Sequence, residues 1–195
     1  QIVDRKVVGQ TRVCNLVHLP PITFIENWMQ VLAALYFLRA DIGSLEAVLA
    51  SGVDLLDDHH HRVEHFATIN GVDFYEDSKS TVIQATQAAV GRLALQHRPL
   101  VVILGGMSKG VDRRPLMEYL KTVSEVKKVC CFGSECGAFV GAVCCATLDA
   151  IVNDIKATMR PGDIVLFSPS GASFDFFDNY KHRGQVFKEL VLSIK

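Results

Sequence analysis

Three short segments of this sequence gather residue types that bind anions. The first, residues 76–81, reads Glu-Asp-Ser-Lys-Ser-Thr and leads from a β-forming run into a helix-forming one. At such a junction the unpaired N–H groups and the dipole of the helix favour negative charge, and Lys79 with three hydroxyls adds to both. A capped helix with a solvated lysine is the plain alternative. The second, residues 104–110, reads Leu-Gly-Gly-Met-Ser-Lys-Gly after an apolar run. Its glycines allow a tight turn and a close backbone approach to a ligand, and Lys109 supplies a cation. It has neither Walker A spacing nor the G-x-G-x-x-G dinucleotide pattern, and a purely structural strand-to-helix turn would use glycines in the same way. The third, residues 168–184, begins with small residues. Ser173 and Asp175 then open what reads as a helix laden with Phe174, Phe176 and Phe177. Ser173 there is an N-cap, a ligand donor, or both, with the phenylalanines as core.

Two other groupings carry less. The histidine run at 59–61 reads as a solvated surface stretch, because adjacent histidines point in different directions and do not form a metal-ligating face. Six cysteines, at 14, 130, 131, 136, 144 and 145, contain no C-x-x-C pair. The vicinal pairs read as small apolar residues in buried strands of a protein from a reducing compartment.

The elements that must position these segments follow from periodicity. Residues 1–22 are irregular up to Pro20 and Pro21. Residues 26–40 are apolar on nearly every side, which predicts a helix buried all round, and Ser44 opens a short helix that Gly52 ends. A polar, aperiodic run near residue 60 marks a domain boundary. Beyond it, residues 62–78 predict a hairpin turning at Asn70-Gly71. Thr81 with Gln84 forms a capping box for a helix carrying Ala85, Ala88, Ala89 and Leu93. Residues 99–106, 126–133 and 163–168 read as buried strands, the first and last with the continuous apolar character of parallel ones. Helices are predicted over 115–124, over a stretch carrying Leu148, Ile151, Val152, Ile155 and Met159, and at the C-terminus. Alternation of this kind implies an α/β, Rossmann-like, doubly wound and mostly parallel sheet, with its sites at the carboxyl ends of the strands.

With 195 residues, nearly half of them apolar, the chain can bury one sizeable core or one domain and part of another. Twenty basic residues against 21 acidic ones, scattered along the chain, exclude a nucleic-acid surface. The apolar stretch from Trp28 to Leu38 falls short of the roughly 20 residues of a membrane span. No charged leader precedes an apolar segment at the N-terminus. A soluble cytoplasmic protein is the expectation.

The three polar segments, in this order, resemble the D-glutamate-adding branch of the Mur ligase family. Residues 77–81 match its Asp-Ser-Lys-Ala/Ser-Thr motif, residues 105–109 its Gly-Gly-x-x-Lys loop, and residues 168–175 its Ser-Pro-x-x-Ala-Ser-Phe/Leu-Asp segment. Residues 61–64 resemble the His-Arg-x-Glu junction at which the family's C-terminal domain begins. The resemblance covers about residues 24 to 195. It implies a C-terminal amino-acid-binding domain over 61–195, preceded over 1–60 by a helical remnant of the central ATP-binding domain. It implies a reaction in which ATP activates the carboxylate of UDP-N-acetylmuramoyl-L-alanine as an acyl phosphate, which the amine of D-glutamate then attacks.

Carried over by motif, Lys79, Thr81, Lys109, Ser173, Phe174 and Tyr180 surround D-glutamate, while Arg62 and Asp77 face ATP at phosphate and ribose. Asn27 and Gln30 fall where the family's His-Asn-x-x-Asn meets the nucleotide; Glu26 stands in place of the histidine and Gln30 in place of the second asparagine. The family's Walker A loop, its magnesium ligands and its uridine-nucleotide domain have no counterpart in the sequence. The expectation is therefore part of a monomeric ligase, inactive in isolation, with ATP and magnesium as cofactors. The alternative is a non-catalytic module that binds D-glutamate or a nucleotide. A nicotinamide-dependent oxidoreductase is excluded by the missing glycine fingerprint.

Overall fold

The computed structural model describes residues 60–194, together with Met29, Gln30, Val31, Ala33, Ala34 and Phe37, all six of which are helical. Compactness divides the chain into two units, Gln1–Asp58 and His59–Lys195. Within the first, Val31 is 42% and Phe37 79% exposed, so the helix expected to be buried all round has uncovered faces there. A helix is buried on every side only where chain packs against every side. The irregular stretch 1–22, the short helix after Ser44, and Asn27 lie outside the described residues.

The second unit is a six-stranded sheet: β1 (Glu64–Ile69), β2 (Val72–Glu76), β3 (Leu100–Leu104), β4 (Val126–Phe132), β5 (Val143–Cys145) and β6 (Ile164–Phe167). Its spatial order is β1-β2-β6-β3-β4-β5. β1 pairs antiparallel with β2, and every other pairing is parallel. Asn70 and Gly71 turn the hairpin, both with positive φ (53° and 75°), in register Ile69 to Val72. That is the conformation a two-residue turn of this twist demands.

Four helices cover the two faces: α1 (Ile83–Ala94), α2 (Arg114–Thr122), α3 (Leu148–Thr158) and α4 (Tyr180–Leu192). Along the central strands the side chains alternate between two cores. Val101, Ile103, Cys130, Phe132, Val165 and Phe167 pack with α3 and α4. Leu100, Val102, Leu104, Cys131, Ile164 and Leu166 pack with α1 and α2. Residues of β3 and β6 are at most 2% exposed, and each such large side chain contributes roughly 1.5–3 kcal/mol by leaving water. The doubly wound, mostly parallel sheet expected from the sequence is therefore present.

Helix starts differ from the sequence expectation at two places. α1 is preceded by Val82, in extended conformation and with no side-chain cap, so the Thr81–Gln84 box does not form. The box requires the hydroxyl residue itself to occupy the capping position, and Thr81 lies one residue too early. Ser173 likewise does not open α4. Its carbonyl accepts from the amides of Phe176 and Phe177, which closes a turn. The helix starts after Asn179, whose side-chain oxygen accepts from His182 N at 3.0 Å. β5 is only three residues long. Cys144 on it is exposed, against the expectation that both vicinal cysteine pairs lie in buried strands.

Candidate functional site

The strand order brings the three polar segments together. Residues 76–81 follow β2, residues 104–110 follow β3, and residues 168–184 follow β6, which lies between the other two. This is where the winding of the sheet reverses, the usual place for a ligand crevice in such folds. Backbone hydrogen bonds stitch the segments. Asp77 N donates to Phe167 O at 2.8 Å, Gly105 N to Pro169 O at 3.0 Å, and Met107 and Ala172 exchange a pair at 2.9 and 3.0 Å.

The glycines of the second segment serve this stitching. A Cβ on Gly106, whose φ is +74°, would lie 2.4 Å from Ala172 O, and one on Gly105 would lie 2.5 Å from the Phe132 ring. Their close approach is to the chain itself, not to a ligand.

Beneath the crevice lies a buried polar layer. Arg183 is wholly buried; its Nε donates to Ser78 Oγ at 2.8 Å, one terminal nitrogen to Ser78 O at 2.8 Å, and the other to Gly171 O at 2.9 Å. Burial draws its pKa down to about 10, which leaves it charged at neutral pH. The Asp77 carboxylate is 5% exposed and accepts from Ser168 Oγ at 2.7 Å and Val63 N at 3.2 Å. Burial pushes its pKa up to about 7, against the pull of those bonds and of Arg62. The hydroxyls of Ser80, Thr86 and Ser168 form a chain beside it.

Glu76, also wholly buried, meets His61 Nδ1 and the amide of Ser78, and burial raises its pKa. Gly184 makes room for this pair, since a Cβ there would lie 2.6 Å from His61 Nδ1. His61 is thus part of the fold, contrary to the expected solvated run; its burial against Glu76 is what a string of three histidines conceals. His60 remains exposed.

Above this layer a cleft of about 270 Å³ is lined by Thr81, Val82, Met107, Ser108, Lys109, Val111, Ala172, Ser173, Phe174, Asn179 and Tyr180. Five of the six residues assigned to D-glutamate by motif lie in it. The sixth, Lys79, holds its ammonium 4.0 Å from the centre of the Tyr180 ring, and Lys109 holds its own 5.7 Å from that of Phe174. Neither ammonium has a carboxylate partner among the described residues. The lining carries hydroxyls, an amide and a cation, and no carboxylate. Such a set suits an anion with several acceptor oxygens. Phe174 and Phe176 are 66% and 57% exposed, so they are not the core residues the sequence suggested; only Phe177 packs against the core.

Of the residues assigned to the nucleotide, Arg62 and Asp77 lie close enough for the guanidinium to lower the Asp77 pKa. Arg62 is exposed at the start of the second unit, Asp77 is buried with internal partners, and Gln30 is an exposed helical residue of the first unit. Two groups of possible metal ligands occur among the described residues: Cys131, Cys136 and Cys144, and His61, Glu64 and Glu76. The second already holds the Lys188 ammonium, 2.7 Å from Glu64 and 3.9 Å from Glu76. A lysine in that position supplies the positive charge a divalent cation would bring, so the group does not fit magnesium.

Sequence reasoning missed Arg183, Arg113 and Asn179. Arg183 carries a signal, for it shares a helical face with Gly184, Phe187 and Val191, all buried. Arg113 is 3% exposed, donates to Ser170 O and to Ser170 Oγ, and lies over the Phe139 ring, while its Nε and other terminal nitrogen have no hydrogen-bond partner among the described residues. Nothing in its sequence neighbourhood distinguishes it from the exposed Arg114.

Comparison with known proteins agrees with this geometry. Residues 61–171 match the family described as Mur ligase, glutamate ligase domain. Over 178 residues the chain is 36% identical to the UDP-N-acetylmuramoylalanine–D-glutamate ligase of Ralstonia nicotianae, covering 87% of this chain and 34% of that protein. Over 182 residues it is 38% identical to the enzyme of the same name from Acidobacterium capsulatum, covering 89% and 38%. The chain thus spans little more than a third of these relatives.

Among solved structures, the fold is shared with a MurF ligase from Thermotoga maritima in complex with ADP (TM-score 0.57, 18% identity, 86% of this chain and 37% of that one). It is shared also with a murein peptide ligase from Psychrobacter arcticus (TM-score 0.57, 14% identity, 88% and 37%). Among the described residues, no helix is long and apolar enough to cross a membrane. A doubly wound sheet with an anion-suited cleft at its switch point, and a family match across β1 to β6, lead to one conclusion: this chain belongs to the Mur ligase family and carries its glutamate ligase domain.

Proposed function

We propose that this chain is the C-terminal part of an ATP-dependent ligase that joins D-glutamate to UDP-N-acetylmuramoyl-L-alanine, and that the cleft holds the D-glutamate. In this reading residues 61–195 are the amino-acid-binding domain, residues 1–60 belong to the central ATP-binding domain, and the enzyme is a cytoplasmic monomer. The observation that carries it is the convergence of Thr81, Lys109, Ser173, Phe174 and Tyr180 on one acid-free cleft, with Lys79 against the Tyr180 ring.

D-Glutamate brings two carboxylates and an amine. Lys109 and Lys79 neutralise the carboxylates, while the hydroxyls of Thr81 and Ser173 donate to them. Charge-assisted bonds of this kind are worth roughly 1.5–3 kcal/mol each. Phe174 and Tyr180 give the aliphatic stem an apolar wall. Held at both ends, the amino acid presents its amine in one direction, which converts a bimolecular encounter into a positioned attack.

ATP, in the complete enzyme, supplies the phosphoryl group that activates the acceptor carboxylate. In this reading Arg62, exposed at the start of the domain, meets a phosphate, while Asp77 is already engaged, and among the described residues no group of carboxylates fits magnesium. The chain alone is therefore expected to bind without releasing ADP. The deciding experiment is Lys109→Ala in the complete ligase. KM for D-glutamate should rise at least tenfold, about 1.4 kcal/mol, with the melting temperature unchanged. An unaltered KM would remove Lys109 from the site and the cleft from its role.

A further inference from the structure

A second constellation lies at the β5 edge of the sheet, where β4, β5 and the segment joining them bring three cysteines together. Cys131 on β4 is paired in register with Cys144 on β5, and their sulfurs are 3.3 Å apart. Cys136, at the start of a single 3-10 turn (Cys136–Ala138), sets its sulfur against both. All three sulfurs lie within 4.8 Å of one another. The Cα separations of Cys136 from Cys131 and Cys144 are 5.6 and 5.8 Å, so either pair fits the backbone window for a disulfide. A sulfur can enter only one such bond at a time.

We propose that these cysteines form a thiol–disulfide exchange site, in which Cys136 pairs with either neighbour and the third residue stays a thiol. Burial orders the steps. Cys144 is exposed, while Cys131 and Cys136 are buried. The Cys144 thiolate attacks a small-molecule disulfide, forming a mixed disulfide and releasing one thiolate. The Cys136 thiolate then attacks the Cys144 sulfur and displaces the second, giving the Cys136–Cys144 bond. Cys131 finally attacks Cys136, which moves the bond to Cys131–Cys136 and frees Cys144. Two protein thiols are oxidised, one external disulfide is reduced to two thiols, and the last step transfers no net electrons.

Cys130, on the opposite face of β4, is no competitor, because burial pushes its thiol up to about 11 and keeps it protonated. A structural zinc centre fits less well: it takes four ligands, and no fourth donor stands with these three among the described residues.

The site has a route to the cleft. Glu135, adjacent to Cys136, accepts from the amide of Ser108 at 2.7 Å and so holds the loop that carries Lys109. Fixing Cys136 to β4 fixes Glu135 and with it that loop. This consequence rests on the D-glutamate reading of the cleft; the exchange chemistry does not.

The test uses the purified, reduced 195-residue chain exposed to oxidised glutathione. Two of its six thiols should be lost. Cleavage after Glu135 and Phe139, followed by mass spectrometry, should find Cys136 bridged to Cys131, preceded by glutathione on Cys144 and by a Cys136–Cys144 bridge. Cys130→Ala and Cys145→Ala chains assign the partner within each vicinal pair and should behave as the parent. Cys136→Ser should hold glutathione on Cys144 at least tenfold longer, because only Cys131 is then left to displace it. Cys144→Ser should give the same final bridge at least tenfold more slowly.

A chain that keeps all six thiols, or bridges Cys130 to Cys145 instead, overturns the proposal. So does one equivalent of zinc that survives dialysis and is released by a thiol-blocking reagent. Whether oxidation changes KM for D-glutamate in the complete ligase tests the link to the cleft separately.

Discussion

Arg183 and Lys109 are both cations contributed by the polar segments at the strand ends, yet the fold treats them in opposite ways. Arg183 is wholly buried, and three of its nitrogens are taken up by Ser78 and Gly171. Lys109 is exposed, sits at positive φ (51°), and has the Phe174 ring beside its ammonium but no carboxylate partner among the described residues. A buried cation must be satisfied internally, because its desolvation cannot be offset otherwise. An exposed one with no internal partner leaves its charge available. The contrast separates the polar residues that hold the strand ends together from those that can meet a ligand, and sequence motifs list both kinds without distinction.

The largest effect should come from breaking the buried side. Arg183→Met leaves Ser78 O and Gly171 O without donors and removes positive charge from near Glu76 and Asp77. A loss of about 3–5 kcal/mol in urea denaturation is expected. Arg183→Lys should recover only part of it, since an ammonium cannot span the forked set of acceptors. A loss under about 1 kcal/mol for the methionine variant would mean that the layer does not depend on this cation.

The next effect concerns the sign of a pH dependence. Asp77 has a folded pKa of about 7 against an ordinary value of 3.8. The folded state binds the proton more tightly, so this contribution to stability is complete below the unfolded value and is lost as the pH rises through about 7. Asp77→Asn keeps an acceptor for Val63 N and a group that can meet the Ser168 hydroxyl, and it has no charge to bury. The variant should gain on the parent by about 2–4 kcal/mol between pH 4 and pH 8. Glu76 is present in both proteins, but its charge helps to raise the Asp77 pKa, so the difference includes the repulsion between the two carboxylates. A gap that stays constant with pH would show Asp77 ionised throughout, and the buried layer would then be more strongly charged than the comparison assumes.

The contrast also marks what could be read from the sequence. Continuous apolar runs announced β3 and β6, and Asn70-Gly71 announced the hairpin, because these signals are local. The three segments around the cleft were legible by residue type. Their meeting depends on β6 inserting between β2 and β3, which no local pattern states. The capping box at Thr81 and the helix start at Ser173 failed for one reason: a capping motif marks where a helix can begin, and packing decides where it does. Val82 and Asn179 won those positions. The cysteines were read two at a time along strands, whereas Cys131, Cys136 and Cys144 meet across a strand pair and a turn, at separations of 5 and 8 residues.

The smallest effect is expected where the two kinds of residue come closest. Ser173 is 3% exposed, like the buried layer, yet it lines the cleft, like the lip. Its carbonyl is engaged by the amides of Phe176 and Phe177, but its hydroxyl makes no hydrogen bond among the described residues. A hydroxyl capping a helix would cost about 1 kcal/mol on removal. One without a cap bond should cost within about 0.5 kcal/mol. Ser173→Ala should therefore leave the melting temperature almost unchanged. If the hydroxyl donates to a substrate carboxylate, the same variant should raise KM for D-glutamate in the complete ligase several-fold, short of the tenfold expected for Lys109→Ala, because a neutral donor contributes less than a charged one. Calorimetry and kinetics on this single variant thus read the two sides against each other. A fall in stability with unchanged KM would assign Ser173 to the buried layer and move the floor of the cleft above it.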